Sequence, residues 1–395
     1  MNISRRLLLL CFIWLSAMTA LRAEVKVSVL TCSPGDEVYS VYGHTALRYR
    51  DTSKNLDVVF NYGCFDFSSP NFIWRFVLGE TDYLVCVTDY RDFVPEYEMR
   101  GSSIVEQVLE LSDDEATALF DALLVNIRPE NRVYRYRYLD NNCTTKVRDM
   151  ILKALGDSVN IAYKGDSPSA STYRDALNSA AIDNPWYSFG INLLLGADVD
   201  KEPSREAMQF LPLNFMSDLD GAYIVSGNGM ERKLVRESNL LLREDKPAAK
   251  HNNFTPFNAS LLLLLATFVT MLCELRKRKT YWGLDVLLMS VQGVAGLLLL
   301  FMALFSEHPA VGNNWLLLLL NPLALLLLPI MLVKIKRDKS LKIVWVQVVF
   351  VVAFLLSALL GPQMYPAPIY FCALALLARS LFHIYKDRIC ELNIV

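Results

Sequence analysis

The feature that most limits what this chain can fold into is a series of apolar blocks near its end. Five of them occupy residues 257–273, 281–305, 314–334, 342–360 and 366–384. Each is close to the roughly 20 residues that a helix needs to cross the hydrocarbon core of a bilayer. Few ionisable side chains fall inside the blocks, whereas transporters usually carry charges at membrane depth. We therefore predict an all-α bundle of five transmembrane helices over residues 257–385, serving as an anchor or docking a partner, and we disfavour a transporter.

Charged residues around these blocks predict which side of the membrane each part occupies. Lysine and arginine occur in the connections 276–279 and 334–339 and in the tail 386–395, but not in the connections 306–314 and 361–365. Basic loops remain in the cytoplasm, so the tail is expected inside and the N-terminal domain outside. Residues 1–23 combine a charged start, an apolar run and a small-residue cleavage point, as in a signal peptide. Both signals predict export of the N-terminal domain.

Residues 24–220 mix charged, aromatic and apolar residues as a folded, water-exposed domain does. Runs rich in β-branched and aromatic residues predict strands at 25–31, 44–50, 58–62, 84–88, 104–111 and 132–139. Helices are expected at 71–78, from 112 to before Pro129, from 142 or 143 to Gly156, and at 171–180 and 185–195. The pattern predicts an α+β domain with an antiparallel sheet. Residues 221–256 are expected to form an accessory hairpin, pairing 222–226 with 234–242, and a polar linker.

One histidine and one cysteine stand out in this domain. His44 is the only histidine between residues 24 and 250, and Cys143 lies where an extended run gives way to a helix. Backbone N–H groups and the dipole at a helix start stabilise a thiolate and can bind an oxyanion, while an imidazole moves the proton. The pair therefore predicts a thiol enzyme. The alternative is that Cys143 is a small buried hydrophobe and His44 a satisfied core histidine.

A third group should orient the imidazole in such a site. Asn61, on the strand predicted to follow that of the histidine, could accept from the ring N–H, although an Asn there could equally satisfy a turn. Tyr42 and Arg48 flank the histidine and are candidates to contact a substrate, with packing as the alternative for the tyrosine. Asn142 and Thr144 flank the cysteine and are candidates for the same role, as well as sensible cap residues.

Other chemistries have little support in the sequence. No Cys-x-x-Cys or His-x-x-x-His spacing occurs, so we expect neither a metal nor another cofactor. The net charge of −2 gives no argument for nucleic-acid binding. One disulfide among Cys32, Cys64 and Cys86 and three free thiols are both compatible with the spacing. The oligomeric state is not indicated.

Several segments resemble the Lnb N-terminal periplasmic domain family, a bacterial group long described as a domain of unknown function. They are Thr31–Gly35, Gly43–Arg48, Phe60–Gly63, Asn141–Thr145 and Phe210–Pro212. The resemblance covers most of residues 25–220, and residues 306–323 also look like Bacteroidota members with a multi-pass tail. The Gly-His and Asn-Cys segments further resemble permuted NlpC/P60-type, papain-like thiol enzymes, which include peptidases, amidases and lipid acyltransferases. This resemblance implies a periplasmic location, Cys143 as nucleophile and His44 as base, and leaves the third residue open.

Together these signals predict a multi-pass protein of the bacterial inner membrane with a permuted papain-like domain in the periplasm and a cytoplasmic C-terminus. The predicted function is a membrane-tethered cysteine hydrolase or acyltransferase. It would act through a Cys143 acyl-enzyme on an amide or ester bond of a lipid, lipoprotein or peptidoglycan-type substrate. The alternative is a non-catalytic assembly or maturation factor that binds an exported partner and reuses the same fold.

Overall fold

The computed structural model describes residues 25–65, 68, 70–156, 160–164, 170–225, 229–245, 254–337 and 339–392. The predicted signal peptide, residues 227 and 228 of the predicted hairpin turn and the last three residues of the tail lie outside this part of the chain.

The described part of the N-terminal domain is built on antiparallel sheets. Its strands are β1 Val25–Cys32, β2 His44–Asp51, β3 Leu56–Cys64, β4 Asp82–Asp89, β5 Ile104–Leu109, β6 Val133–Arg135, β7 Asn160–Tyr163, β8 Ala222–Val225, β9 Glu231–Lys233 and β10 Val235–Leu242. Within the described residues, seven strands form the main sheet in the order β10-β5-β1-β2-β3-β4-β6, and β7-β8-β9 form a smaller one. Successive side chains of a strand point to opposite faces of the sheet, so each strand contributes side chains to both faces.

Helices cover both faces of the main sheet. They are α1 Phe72–Leu78, α2 Tyr90–Met99, α3 Asp113–Asn126, α4 Cys143–Leu155, α5 Tyr173–Ala180, α6 Pro185–Leu194, α7 Arg205–Met208 and α8 Pro212–Asp220. Leu123 of α3 and Val147 of α4 pack with Phe60 of β3 on one face. Phe93 of α2 packs with Val59 on the other. These two apolar layers hold the sheet, and α4 with it, in a fixed position.

Two predicted strand assignments are wrong. The alternating run 132–139 forms a strand only at Val133–Arg135, because Arg137 and Asn141 exchange backbone hydrogen bonds of 3.1 and 2.9 Å and close a turn there. That turn delivers the chain to the start of α4. Residues 235–242 do not pair with 222–225, which pair with β9 instead. They pair with β5 and form an outer strand of the main sheet.

The C-terminal part is helical, as predicted. Its helices are α9 Pro256–Lys277, α10 Trp282–Phe305, α11 Leu323–Lys336, α12 Val344–Leu360 and α13 Ala367–Leu392. Among the described residues, four helical stretches are long and apolar enough to cross a membrane: Pro256–Lys277, Trp282–Phe305, Trp315–Lys336 and Ala367–Ile389. The remaining predicted block forms the apolar helix α12, which has only 17 residues. The helical membrane region is therefore established with four candidate spans.

Buried charges connect three of these helices. Arg379 of α13 donates to both carboxylate oxygens of Asp285 in α10 at 2.7 Å and to Glu274 of α9 at 2.7 Å. His383 of α13 lies 2.9 Å from the same Asp285 carboxylate. All four side chains are at most 4% exposed. Asp285 and Arg379 lie near the ends of two apolar blocks and are 94 residues apart in the chain, and local sequence patterns do not indicate that they pair.

The N-terminal domain is hydrogen-bonded to the two connections that lack basic residues, 306–314 and 361–365. In the first connection, Ala310 accepts from the backbone N–H of Gly196 at 2.8 Å, and Asn314 donates to the carbonyl of Leu193 at 2.8 Å. In the second, Gln363 donates to the carbonyl of Leu195 at 3.1 Å. The domain and both connections therefore lie on the same side of the helical region.

Candidate active site

Cys143 is the first residue of α4, and Asn142 caps that helix. The Asn142 side chain accepts from the N–H groups of Thr144 and Thr145 at 2.9 and 3.0 Å. Its amide donates to the carbonyls of Tyr138 and Phe210 at 2.8 and 2.9 Å. An Asn at this position is favoured because its short side chain satisfies the free donors of the first turn. The cap holds the Cys143 backbone rigidly and leaves the N–H of Cys143 itself for another acceptor.

His44 lies between Cys143 and Asn61. Its Nε2–H donates to Oδ1 of Asn61 at 2.5 Å. The ring is also close enough to the Cys143 thiol for each group to shift the pKa of the other. Since Nε2 is taken by the amide, Nδ1 is the ring nitrogen that remains for the sulfur. The structure therefore brings together, in one row, a thiol, an imidazole and an orienting amide.

The electrostatics of this row favour charge separation. Burial alone raises the pKa of the Cys143 thiol, but the His44 charge and hydrogen bond, the Thr45 backbone N–H and the Thr144 hydroxyl together lower it to about 7. Burial lowers the pKa of His44, and the Cys143 charge, its hydrogen bond and the bond to Asn61 outweigh that effect, so the His44 pKa is raised. Both shifts favour the thiolate–imidazolium form of the pair over the neutral form.

A bulge in β3 lies next to Cys143. The register of β3 against β4 shifts between Tyr62 and Cys64, and Gly63 at the shift has φ +93°. A Cβ at Gly63 would lie 3.7 Å from the Cβ of Cys143, with φ in a region that side chains rarely adopt. Bulges often redirect a strand next to a functional side chain, and here one brings the end of β3 alongside the start of α4.

Sequence reasoning missed the residues that α2 contributes. The Tyr97 ring is nearly parallel to that of His44, with centroids 6.3 Å apart. Arg100, just after α2, lies over the Tyr97 ring at 5.2 Å and pairs with Glu96 at 2.6 Å. Its positive charge acts against protonation of His44. The spacing of Phe93 and Tyr97, four residues apart as on one helix face, was the signal that could have revealed this helix.

Arg48 does not reach the candidate site. It lies four residues along β2 from His44, which corresponds to roughly 13 Å. Its guanidinium pairs with Asp57 at 2.7 Å and with Glu106 at 2.9 Å, and it lies 3.3 Å from the Tyr90 ring centroid. Because these partners occupy the guanidinium, the predicted contact with substrate has no support, and Arg48 ties β2 to β3 and β5 instead.

The other predicted substrate contacts divide into two kinds. Asn142 and Thr144 are buried, and Thr144 lies 3.8 Å from the Cys143 sulfur and 3.1 Å from the Thr45 hydroxyl, so both position the thiol. Tyr42 is half-buried and packs against the rings of Tyr138 and Tyr187 at 5.2 and 5.7 Å. Tyr42 is therefore part of an aromatic cluster at the N-terminal end of β2.

The remaining cysteines of this domain are free thiols in the structure. Cys32 is buried beside Tyr97, and burial raises its pKa far above the ordinary range. Cys64 and Cys86 lie on neighbouring strands, and their interaction raises the pKa of Cys64 and lowers that of Cys86. Across the described ranges, no group of three or more His, Cys, Asp or Glu side chains could hold a metal ion.

Two family models match the chain. The Lnb N-terminal periplasmic domain matches residues 17–179, and the Lnb transmembrane domain matches residues 248–388. The chain belongs to the Lnb family. The first match contains Cys143, His44 and Asn61, and the second contains almost the whole helical region. The two matches show that this Lnb protein is a membrane protein with a periplasmic domain. No curated protein and no solved structure is similar enough to match it.

Proposed function

We propose that this Lnb protein is a membrane-tethered periplasmic cysteine hydrolase or acyltransferase with a papain-like site. The observation that supports it most directly is the row of Cys143, His44 and Asn61, in which the Cys143 pKa is lowered to about 7. A thiol kept only for packing has no need of an imidazole and an orienting amide, whereas a nucleophile needs both.

The chemistry follows from the order of these groups. The Cys143 thiolate attacks the carbonyl carbon of an amide or ester, and a C–S bond forms as the carbonyl π electrons move to oxygen. The Cys143 N–H, which the Asn142 cap leaves free, would donate to that oxyanion. The His44 imidazolium then protonates the departing amine or alkoxide, leaving a thioester on Cys143.

The second half of the reaction reverses these roles. Neutral His44 removes a proton from water or from an acceptor amine or hydroxyl, which attacks the thioester carbonyl. The C–S bond breaks and regenerates the thiolate, which the returned imidazolium charge stabilises. Throughout, the hydrogen bond from Nε2 to Asn61 keeps the ring facing the sulfur. Water as acceptor makes the protein a hydrolase, and an amine or hydroxyl makes it an acyltransferase.

The position of the site supports a substrate at the membrane. The domain contacts the connections 306–314 and 361–365 through its 193–196 segment, so it cannot move far from the bilayer without losing those bonds. We therefore propose a lipid, lipoprotein or peptidoglycan-type substrate. This step depends on location alone and is separate from the chemistry of the row.

The topology we propose has five spans in the inner membrane, with the C-terminus in the cytoplasm. Since the periplasmic domain contacts both connections that lack basic residues, those connections belong outside and the basic ones inside, as the positive-inside rule requires. An exterior loop at 306–314 and another at 361–365 need two crossings between them. Helices α11 and α12 are the ones available, so α12 would span despite its 17 residues, by local thinning of the bilayer.

The decisive experiment looks for the acyl-enzyme. Full-length protein in lipid nanodiscs would be mixed with p-nitrophenyl esters of graded acyl length, and peptides would be analysed by mass spectrometry. We expect release of about one p-nitrophenol per chain in the first turnover and an acyl mass on the Cys143 peptide. Cys143→Ser should abolish the thioester, while Cys372→Ser, in α13, should not. If no acyl mass forms on Cys143 at any chain length, the protein is better explained as a non-catalytic assembly factor.

A further inference from the structure

Helix α1 carries an apolar surface that the rest of the described chain does not cover. Six of its seven residues are apolar, and none of the seven is buried. Ile73, Trp74 and Phe76 are 78%, 56% and 47% exposed. Clustered exposure of this kind on about two turns of helix is costly in water and usually marks a contact surface.

The helix is fastened to the exterior end of α10. The Ser306 hydroxyl donates to the carbonyl of Val77 at 2.9 Å, and the Glu307 N–H donates to the carbonyl of Leu78 at 2.7 Å. The Trp74 ring packs on that of Phe301, with centroids 5.2 Å apart. Phe301 lies four residues before the end of α10. Its partner Trp74 therefore lies roughly 6 Å from that end along the helix axis, toward the middle of α10.

Other tryptophans occupy the same end of the helical region. Trp315 begins the third candidate span and is 40% exposed. Trp186 packs on Phe254, two residues before α9, with centroids 6.1 Å apart. Tryptophans collect at the level of lipid headgroups, where an apolar ring with one N–H is best accommodated. Trp74 lies at this same end of the helical region.

The single charge of α1 points away from the exposed apolar side chains. Arg75 pairs with Asp82 at 3.1 Å and donates to the carbonyl of Glu80 at 2.9 Å, which ties it to the start of β4. The exposed surface is thus apolar, with its cation turned toward the protein, as an element that lies against lipid requires.

We propose that α1 is an interfacial helix, with Ile73, Trp74 and Phe76 inserted into the outer leaflet of the membrane that holds the helical region. The occupant of this surface is the bilayer, because α1 is bonded to a transmembrane helix at the depth of the interface. The periplasmic domain then has two attachments to the membrane: its contacts with the exterior connections and its own helix.

The second attachment bears on the candidate site. Helix α1 follows β3, which carries Asn61, and the rings of Phe65 and Phe72 stack across the connection with centroids 5.7 Å apart. A helix held in the interface fixes the end of β3, and with it the orientation of the site relative to the bilayer. This inference does not depend on the proposed reaction and would hold for a binding module.

The test measures the depth of position 73 in full-length protein. A ketone-bearing amino acid at Ile73, coupled to a nitroxide, leaves every native cysteine untouched. The protein is reconstituted into vesicles of phosphatidylethanolamine and phosphatidylglycerol, and collision rates with oxygen and with a water-soluble nickel chelate are measured. The matched control is the same label at Lys54, 63% exposed in the turn between β2 and β3, at the opposite end of these strands.

We expect the oxygen-to-nickel collision ratio at position 73 to exceed that at position 54 several-fold. Ready collision with the nickel chelate at position 73 would place α1 in water and overturn the proposal. Low collision with both reagents would mean that a second copy or another protein covers the surface, which also overturns it. Because Ile73 is so exposed, the label itself should not disturb folding, and an unchanged melting temperature would verify this.

Discussion

The charge relation between Cys143 and His44 makes a quantitative prediction for His44→Ala. At pH 6, a thiol with a pKa of about 7 is roughly 10% thiolate, whereas one returned to the ordinary value of 9.0 is roughly 0.1% thiolate. Thiolate abundance would thus fall about 100-fold. The remaining thiolate is intrinsically more nucleophilic, by roughly 6- to 10-fold for a change of two pKa units. Alkylation of Cys143 should therefore slow by about tenfold at pH 6.

The same reasoning fixes the pH dependence. In the unsubstituted protein the alkylation rate should rise with pH and level off above pH 7, because the lowered pKa makes the thiolate dominant there. In His44→Ala the rise should continue for about two further pH units and end at a higher plateau, so that the two curves cross near pH 8. In the variant, the helix start and the Thr45 N–H still lower the Cys143 pKa while burial still raises it, and the value of 9.0 treats these effects as offsetting.

The assay is iodoacetamide labelling of nanodisc protein, followed peptide by peptide, with buried Cys32 as an internal standard that should remain slow. His308→Ala removes an imidazole that binds the Phe76 carbonyl and serves as the matched control. If His44→Ala leaves the Cys143 rate unchanged between pH 5.5 and 7, the imidazole is not the counter-charge. The row is then structural, and the enzyme proposal loses its main support.

Three further outcomes are expected. Asn61→Ala should slow Cys143 alkylation at pH 6 by less than His44→Ala does, because it removes one hydrogen bond to the imidazolium and keeps the charge; an equal or larger decrease would contradict this order. Reporter fusions in the connections 276–279 and 334–339 should report cytoplasm, and those in 306–314 and 361–365 the exterior; any exchange of sides would refute the five-span topology. Arg174→Met should destabilise the periplasmic domain by about 3–5 kcal/mol in thermal unfolding, since it leaves the buried Asp200 without its 2.7 Å partner. Adding Asp200→Asn should restore part of that loss, and no restoration would argue against the charge explanation.

Local patterns predicted much of what surrounds the candidate site. The start of α4 at Cys143 followed from an asparagine cap, and the expected pairing of consecutive strands put Asn61 near His44. Both features depend on residues close in sequence or on adjacent strands, where propensity and alternation are informative. Helix α2 was missed because Pro95 lies inside it, and packing of Phe93 and Tyr97 against the sheet outweighs the lost hydrogen bond.

Long-range partners were beyond the reach of these patterns. Alternation placed Arg48 on a strand but could not show that Glu106, 58 residues later, neutralises it. Likewise, β10 pairs with β5 across well over a hundred residues, whereas its sequence neighbours suggested a local hairpin. Register between distant strands is decided by which apolar faces meet, and a single sequence does not contain that information in local form.

The buried network of Glu274, Asp285 and Arg379 cannot form until Arg379, the last of the three to be synthesised, has been made. The arginine is separated from its two acidic partners by 105 and 94 residues. At about 5–20 residues per second, a ribosome needs roughly 5–20 s to supply it after the acids have been made. During that interval α9 and α10 hold these carboxylates without the Arg379 counter-charge.

Helix α13 therefore supplies the positive charge that pairs with the acidic side chains of α9 and α10. A chain that ended before α13 would lack the guanidinium that pairs with both Glu274 and Asp285. The arrival of Arg379 ends that interval in a single step, because one guanidinium binds both carboxylates. Pairing of these charges is thereby tied to the synthesis of α13.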